Sequence, residues 1–230
     1  MPQADHLWKG ERSDLKVIQI AGFLGSGKTS ALLIISRKIS SEHKKRVAII
    51  VNEIGDVPVD ARVLELGGLR VKEIAGGCIC CELSGNLALT LSELADKFGP
   101  DIVLIEPTGV AIPDQVKVAI GMGRRDTTIP IDAGPVIVIY DAFRIDELLS
   151  NETVNNFINR QILNADVVAI NKVDLVDGAR IQYCENKIRE TNPNVRMMRI
   201  SALKGEGIDE LTRIILEEEG TASIRPGALP

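Results

Sequence analysis

Two stretches of this chain combine residue types and spacings that suit chemistry. The first, "GFLGSGKTS" (22–30), sets three glycines ahead of an adjacent lysine and threonine. Gly22, Gly25 and Gly27 allow a loop to turn backbone N–H groups inward around phosphate oxygens, and a helix starting at its end adds a favourable dipole. Lys28 then reaches toward the terminal phosphates of a nucleoside triphosphate, and Thr29 is placed to ligate Mg2+. Ser26 and Ser30 complete the expected phosphate-binding set. The plainer alternative is a glycine-rich turn that binds nothing, but a strand pattern before the loop and a helix pattern after it weigh against that.

The second stretch, "EIAGGCICCELSGN" (73–86), crowds Cys78, Cys80 and Cys81 into four positions, leaving Cys184 as the only other cysteine. Disulfides between such near neighbours would close tiny, strained loops. Thiolates are soft donors suited to Zn2+ and to other late transition metals such as Co2+ or Ni2+. In an extended loop alternate residues point the same way, so Cys78 and Cys80 could chelate one ion, with Cys81 third or facing away. The fourth ligand stays open among Glu53, Glu73, a water or a second chain. His6 and His43, the two histidines of the chain, are not expected to serve. An incomplete, labile site suits a carrier better than a structural centre. Two alternatives remain: small buried hydrophobes, and a redox pair with a depressed thiol pKa. For Cys184 a packing role is expected.

The base is read from "NKVD" (171–174) and "SALK" (201–204), each placed where a strand pattern ends. A carboxylate at Asp174 can accept from the N1–H and N2–H2 of guanine, a donor pair that adenine lacks. Asn171 and Lys172 would brace the site, and backbone at Ser201 and Ala202 would meet the guanine O6. Together with the phosphate loop, this predicts GTP/GDP as the ligand.

These residues need a scaffold that delivers loops to one edge, and the chain's patterning supplies it. Short β-branched runs at 16–21, 46–51, 101–106, 135–141, 166–171 and 195–200 alternate with helical stretches at 28–41, 83–98, 114–121, 152–163, 178–190 and 208–218. That order predicts an α/β phosphate-loop NTPase with a mainly parallel sheet and helices on both faces. Hydrophobic content of 45% with 3% aromatics implies a Val/Ile/Leu core of the kind parallel sheets bury on both faces. At 230 residues one domain is expected, over 15–220, flanked by an N-terminal extension (1–14) and a C-terminal tail (221–230). A net charge of −5 leaves no basic footprint for nucleic acid or for an anionic membrane. The first residues lack the apolar stretch of a signal peptide, and no run approaches the ~20 apolar residues that span a bilayer. Clustered free thiols then fit a reducing cytoplasm.

The ordered motifs resemble the CobW/UreG/HypB metallochaperone GTPases over nearly the whole length. In that group the phosphate loop is followed by a switch segment similar to "VNEIGD" (51–56), a Gly-Cys-x-Cys-Cys loop, and Glu-x-x-Gly after a strand, here "EPTG" (106–109). The Cys-x-Cys-Cys loop points to the CobW branch. The resemblance implies that Glu53 and Glu106 serve the Mg2+ and γ-phosphate side, making them catalytic candidates with Lys28, and that Gly109 gives backbone access there. Asp56 and Asp60 are nearby carboxylates that could instead be merely solvated. Departures are Pro107 where many relatives have Thr, "VPVD" (57–60) in the switch, and a cysteine loop unlike UreG's Cys-Pro-His. CobW proteins also usually carry a second domain. The implied activity is slow GTP hydrolysis by a chaperone that delivers a transition metal to a client metalloenzyme or its accessory protein, working as a nucleotide- and metal-dependent homodimer. The alternatives are a GTP-gated activator of a cofactor enzyme, such as one using a corrinoid, and a thiol redox or metal sensor.

Overall fold

The computed structural model describes residues 14–53, 63–66, 69–75, 82–107, 109, 113–126 and 130–217. Among the described residues eight strands form one sheet: β1 (Leu15–Ala21), β2 (Val47–Glu53), β3 (Val63–Leu66), β4 (Leu69–Ala75), β5 (Ile102–Glu106), β6 (Ile131–Asp141), β7 (Val167–Asn171) and β8 (Arg196–Arg199). Their order is β3-β4-β2-β5-β1-β6-β7-β8, and every pairing is parallel except β3 with β4. The helices are α1 (Lys28–His43), α2 (Glu82–Phe98), α3 (Pro113–Asp126), α4 (Ile145–Ser150), α5 (Glu152–Leu163), α6 (Gly178–Thr191) and α7 (Ile208–Leu216). The expected parallel sheet with helices on both faces is what the chain forms.

Alternation along the strands decides which helix covers which face. Ile18, Ile20, Ile49, Leu104, Ile137, Ile139 and Ala169 pack with Leu32, Ile35 and Ile39 of α1 and with Leu211 and Ile215 of α7. Their neighbours along the chain point the other way. Val17, Ile50, Val103 and Ile105 meet Leu87, Leu91 and Leu94 of α2 and Val116 and Ile120 of α3. Further along the sheet Val138, Tyr140, Val168 and Ile170 meet α4, α5 and α6 through Ile145, Ile158, Ile162, Cys184 and Ile188. Both faces being covered explains why the strands read as nearly continuous apolar runs.

After β1 the chain moves out to β2, comes back through β5 and then continues on the other side at β6, so β1 sits between β5 and β6. This reversal is the topological switch point at whose carboxyl edge open α/β sheets bind ligands. At the opposite edge Arg46 ties β2 to β5: its Nη2 donates to Asp101 Oδ1 at 2.7 Å and its main-chain N–H to Oδ2 at 2.7 Å.

Two strands and one helix are additional to the sequence expectation. "VLEL" and "LRVKEIA" pair as β3 and β4, and α4 follows closely on β6. Among the described residues no helix is long and apolar enough to cross a membrane. The expected N-terminal extension (but for Asp14) and the C-terminal tail lie outside the described residues, as do Asp56 and Asp60 of the switch segment.

Candidate functional site

The phosphate loop joins Ala21 at the end of β1 to Lys28 at the start of α1, and its glycines take positive φ: 143° at Gly22, 72° at Gly25 and 96° at Gly27. Four successive carbonyls of this loop accept side-chain donors. Lys28 Nζ donates to Phe23 O at 3.2 Å, Arg144 Nη2 to Leu24 O at 2.6 Å, Lys172 Nζ to Gly25 O at 2.9 Å and Asn171 Nδ2 to Ser26 O at 2.7 Å. In a planar peptide the N–H points opposite the preceding carbonyl, so anchoring these carbonyls also fixes the directions of the N–H groups that would face an anion. Lys28 is buried, and desolvation lowers the pKa of its ammonium while the charge of Glu106 opposes that shift. A buried cation of this kind favours an anionic partner.

Thr29 and Ser30 stand exposed in the first turn of α1, and the Thr29 hydroxyl donates to Glu106 Oε1 at 2.8 Å. Glu106 ends β5 and is buried. This pairing brings two oxygen donors together from residues 77 positions apart, a set suited to a hard cation such as Mg2+. Glu53 is the last residue of β2, whose Val51 lies in register with Glu106. Gly109 approaches the phosphate loop closely: a Cβ built on it would lie 2.8 Å from the backbone N of Leu24. Any side chain there would push the two loops apart.

On the base side, Asn171 ends β7 and bonds in two directions. Besides holding Ser26 O, its Oδ1 accepts from the N–H of Ala202 at 2.9 Å, joining the phosphate loop to the "SALK" turn. Lys172 takes a left-handed backbone, φ 67°, an uncommon conformation for a residue other than glycine. Asp174 lies in the short 3-10 turn Val173–Leu175 and is half-buried. Ser201 is fully buried, its Oγ accepting from Lys204 N–H at 3.1 Å and its carbonyl from Gly205 N–H at 2.8 Å. The phosphate loop, the Asn-Lys-x-Asp turn and the Ser-Ala turn are thus one bonded unit at the carboxyl edge of the sheet.

The family model for the nucleotide-binding domain of CobW/HypB/UreG proteins matches residues 16–199. This chain belongs to that family. It is 28% identical over 212 residues to a zinc chaperone CobW of Sinorhizobium sp, covering 81% of this chain and 58% of that one. It is 34% identical over 156 residues to the zinc chaperone YeiR of Escherichia coli, covering 67% of this chain and 45% of the other. Among solved structures, the Zn(II)-bound YjiA GTPase of E. coli superposes with a TM-score of 0.55 at 25% identity, covering 82% of this chain and 57% of that one. The matched region therefore spans about half the length of these relatives. The CobW/HypB/UreG family is one of phosphate-loop GTPases, and this chain has its fold.

The cysteine loop of this family member falls largely outside what the structure describes. Cys78, Cys80 and Cys81 are among the undescribed residues, and the described ones hold no cluster of three or more His, Cys, Asp or Glu able to bind a metal. The flanking elements are placed. Parallel strand β4 brings the chain to Ala75, whose register partner is Glu53 of β2, and α2 begins at Glu82. Cys184 is completely buried among α5, α6 and the sheet, and burial pushes its thiol up to about 11. It is a packing residue, as expected.

Three residues of the site have no counterpart among the sequence motifs. Asp141, at the end of β6, holds Arg144, which binds the phosphate loop at Leu24 O, and Gln161 of α5, also buried, donates from Nε2 to Gly109 O at 3.1 Å. The sequence marks no glutamine after "EPTG" as one that positions an attacking water, yet Gln161 reaches that motif from 52 residues further along. The sequence signal for Asp141 is its place as the acid that ends the apolar run "PVIVIYD".

Proposed function

We propose that this chain is the GTPase unit of a metal chaperone, which binds GTP, hydrolyses it slowly and passes a transition metal held by Cys78, Cys80 and Cys81 to a client metalloenzyme. The observation that carries the nucleotide half is the bonded unit of three loops. Lys172 and Asn171, from the turn that would read guanine through Asp174, hold the carbonyls of Gly25 and Ser26. Base and phosphates would therefore meet one preassembled surface, with the Ser-Ala turn held to Asn171 through the Ala202 N–H, a donor that guanine O6 would have to share or take over. Gly22, Gly25, Ser26, Gly27, Lys28, Thr29 and Ser30 would line the phosphates.

Thr29 and Glu106, with Glu53 two residues beyond Val51, the register partner of Glu106, are the residues that would hold Mg2+, which supplies charge neutralisation at the phosphates when bound. Lys28 would lie along the terminal phosphates. Gly109, close against Leu24, would offer its N–H on the γ-phosphate side.

The names of two relatives, both zinc chaperones, support Zn2+ ahead of Co2+ or Ni2+ as the cargo. The register pair Glu53–Ala75 supports coupling between cargo and nucleotide, because Ala75 leads directly into the cysteine loop and Glu53 directly into the switch segment. Cys78 and Cys80 of two copies would complete a tetrahedral site at a two-fold axis, with GTP favouring that dimer and hydrolysis releasing it.

The test is nucleotide competition combined with metal analysis of the purified chain. GTP should exceed ATP in affinity by about 10- to 150-fold, and Asp174→Ala should remove most of that preference. Bound zinc should fall to background in a Cys78→Ser, Cys80→Ser double variant that still binds GTP. Equal competition by ATP overturns the guanine assignment, and full zinc occupancy in the double variant overturns the cysteine site.

A further inference from the structure

We infer that Arg144 is a positioning residue of the phosphate loop, locked to the base-reading turn through a shared anchor, the Asp141 carboxylate. The inference rests on the nucleotide site proposed above and adds to it a residue outside its motifs.

Asp141 is the last residue of β6, and its side chain is entirely enclosed. Its carboxylate accepts four bonds. Oδ1 takes the main-chain N–H groups of Phe143 at 3.1 Å and Arg144 at 3.2 Å. Oδ2 takes Arg144 Nε and Lys172 Nζ, each at 2.8 Å. Burial alone would raise the carboxyl, but the bonds from Lys172 and Arg144 outweigh it and hold the group below the ordinary carboxylate range. The anion is therefore permanent near neutral pH and fixes two cations side by side.

Each cation then spends a second donor on the phosphate loop. Lys172 Nζ reaches Gly25 O at 2.9 Å, and Arg144 Nη2 reaches the adjacent carbonyl, Leu24 O, at 2.6 Å. The guanidinium also lies over Gly25, where a Cβ would meet Nη2 at 2.8 Å. A planar fork can place Nε on a carboxylate and Nη2 on a carbonyl at the same time, whereas one ammonium at this position has no such rigid pair of donors. Position 25 must then be glycine for two reasons, its positive φ and the guanidinium resting on it.

The consequence is a closed circuit. The loop that cradles phosphate and the turn that reads the base are both tied to one buried carboxylate. Loosening Arg144 should free the Leu24–Gly25 peptide and weaken binding of any nucleotide with a β-phosphate, GDP and GTP alike.

The test measures release of a fluorescent GDP and affinity for GDP and for a non-hydrolysable GTP analogue. It uses the wild-type chain, Arg144→Ala, Arg144→Lys, Lys172→Ala and the Arg144→Ala, Lys172→Ala double variant. Arg144→Ala should speed GDP release and weaken both ligands by a similar factor, about 5- to 30-fold, less than a fully buried charged bond because the arginine is about a third exposed. The unfolding midpoint without nucleotide should fall, because Asp141 loses one partner, but Lys172 and two main-chain N–H groups still hold the carboxylate, so the chain stays folded and the faster GDP release is the readout that a packing role alone would not give. Arg144→Lys should recover less than half of the loss on a logarithmic scale. The double variant should lose less than the product of the single losses, since both act through Asp141. Unchanged GDP release in a folded Arg144→Ala overturns the inference. Full rescue by lysine overturns the fork, and strictly multiplicative losses overturn the shared anchor. Should Arg144→Ala unfold, amide exchange at Gly25 and Gly27 in Arg144→Lys decides in its place: faster exchange supports the tether and unchanged exchange overturns it. Absence of guanine preference in the wild type would refute the base reading while leaving the effect of Arg144 on ADP and ATP to be read in the same assay.

Discussion

Replacing Asn171 by alanine removes the bolt between the two halves of the site, and the structure allows the cost to be worked out. The amide donates to Ser26 O at 2.7 Å and accepts from Ala202 N–H at 2.9 Å, and all three residues are buried. Truncation leaves one main-chain carbonyl and one N–H without these partners. A buried polar group deprived of its partner costs about 1–3 kcal/mol, so the pair comes to roughly 2–6 kcal/mol, toward the low end where water enters the vacated space. For a domain of this size each kcal/mol moves the melting temperature by roughly 2–4 °C, which places the expected drop at about 4–24 °C. Thermal unfolding followed by far-ultraviolet circular dichroism, without nucleotide, measures it directly. GTP should protect the variant much less than the wild type, since protection scales with affinity. A melting temperature within about 2 °C of wild type would refute the reasoning, because it would mean that both main-chain groups find other partners at no cost.

Two further outcomes follow from other contacts of the site. Gln161→Ala frees the carbonyl of Gly109, so affinity for a GTP analogue and turnover should fall while GDP affinity holds, because GDP has no γ-phosphate for Gly109 to meet; wild-type turnover itself should lie well below the ~1–100 s−1 of kinases, as single-turnover phosphate release will show. The Asp141 carboxyl is depressed in the folded chain, so its contribution to stability is complete above its unfolded pKa of about 3.9 and is lost as pH falls through the lower folded value; urea unfolding of wild type against Asp141→Asn should show a difference that is constant near neutrality and shrinks below about pH 4.

The parts of this molecule legible in its sequence are those written in local patterns. The strands covered on both faces, such as β1, β5 and β7, read as apolar runs, and the phosphate loop declares itself through glycines whose positive φ the structure shows. The β3–β4 hairpin was harder. Its "LRVKEIA" alternates apolar and polar residues over only its first four positions and then breaks, a weak period-2 signal. Helix α4 is six residues long, too short for a helical period to show itself. Side-chain contacts were out of reach for another reason. Arg144 meets Leu24 across 120 positions, Gln161 meets Gly109 across 52, and Thr29 meets Glu106 across 77. Such pairs are set by strand order, and a single sequence contains no term for strand order. The cysteine motif is the converse case, legible at once in residue type while its placement lies outside the described residues.

The burial of Cys184 has a practical meaning for thiol chemistry on this chain. With no accessible surface and a thiol pushed up to about 11, it offers almost no thiolate to an alkylating reagent near neutral pH. A maleimide or iodoacetamide titration of the native chain therefore has a silent background. Any equivalent consumed while the fold is closed comes from Cys78, Cys80 or Cys81, and Cys184 is consumed only when the core opens. One reagent thus gives two readings without any cysteine being replaced: whether added metal protects the loop thiols, as the proposed site requires, and the opening rate of the α5–α6 layer from the slow equivalent.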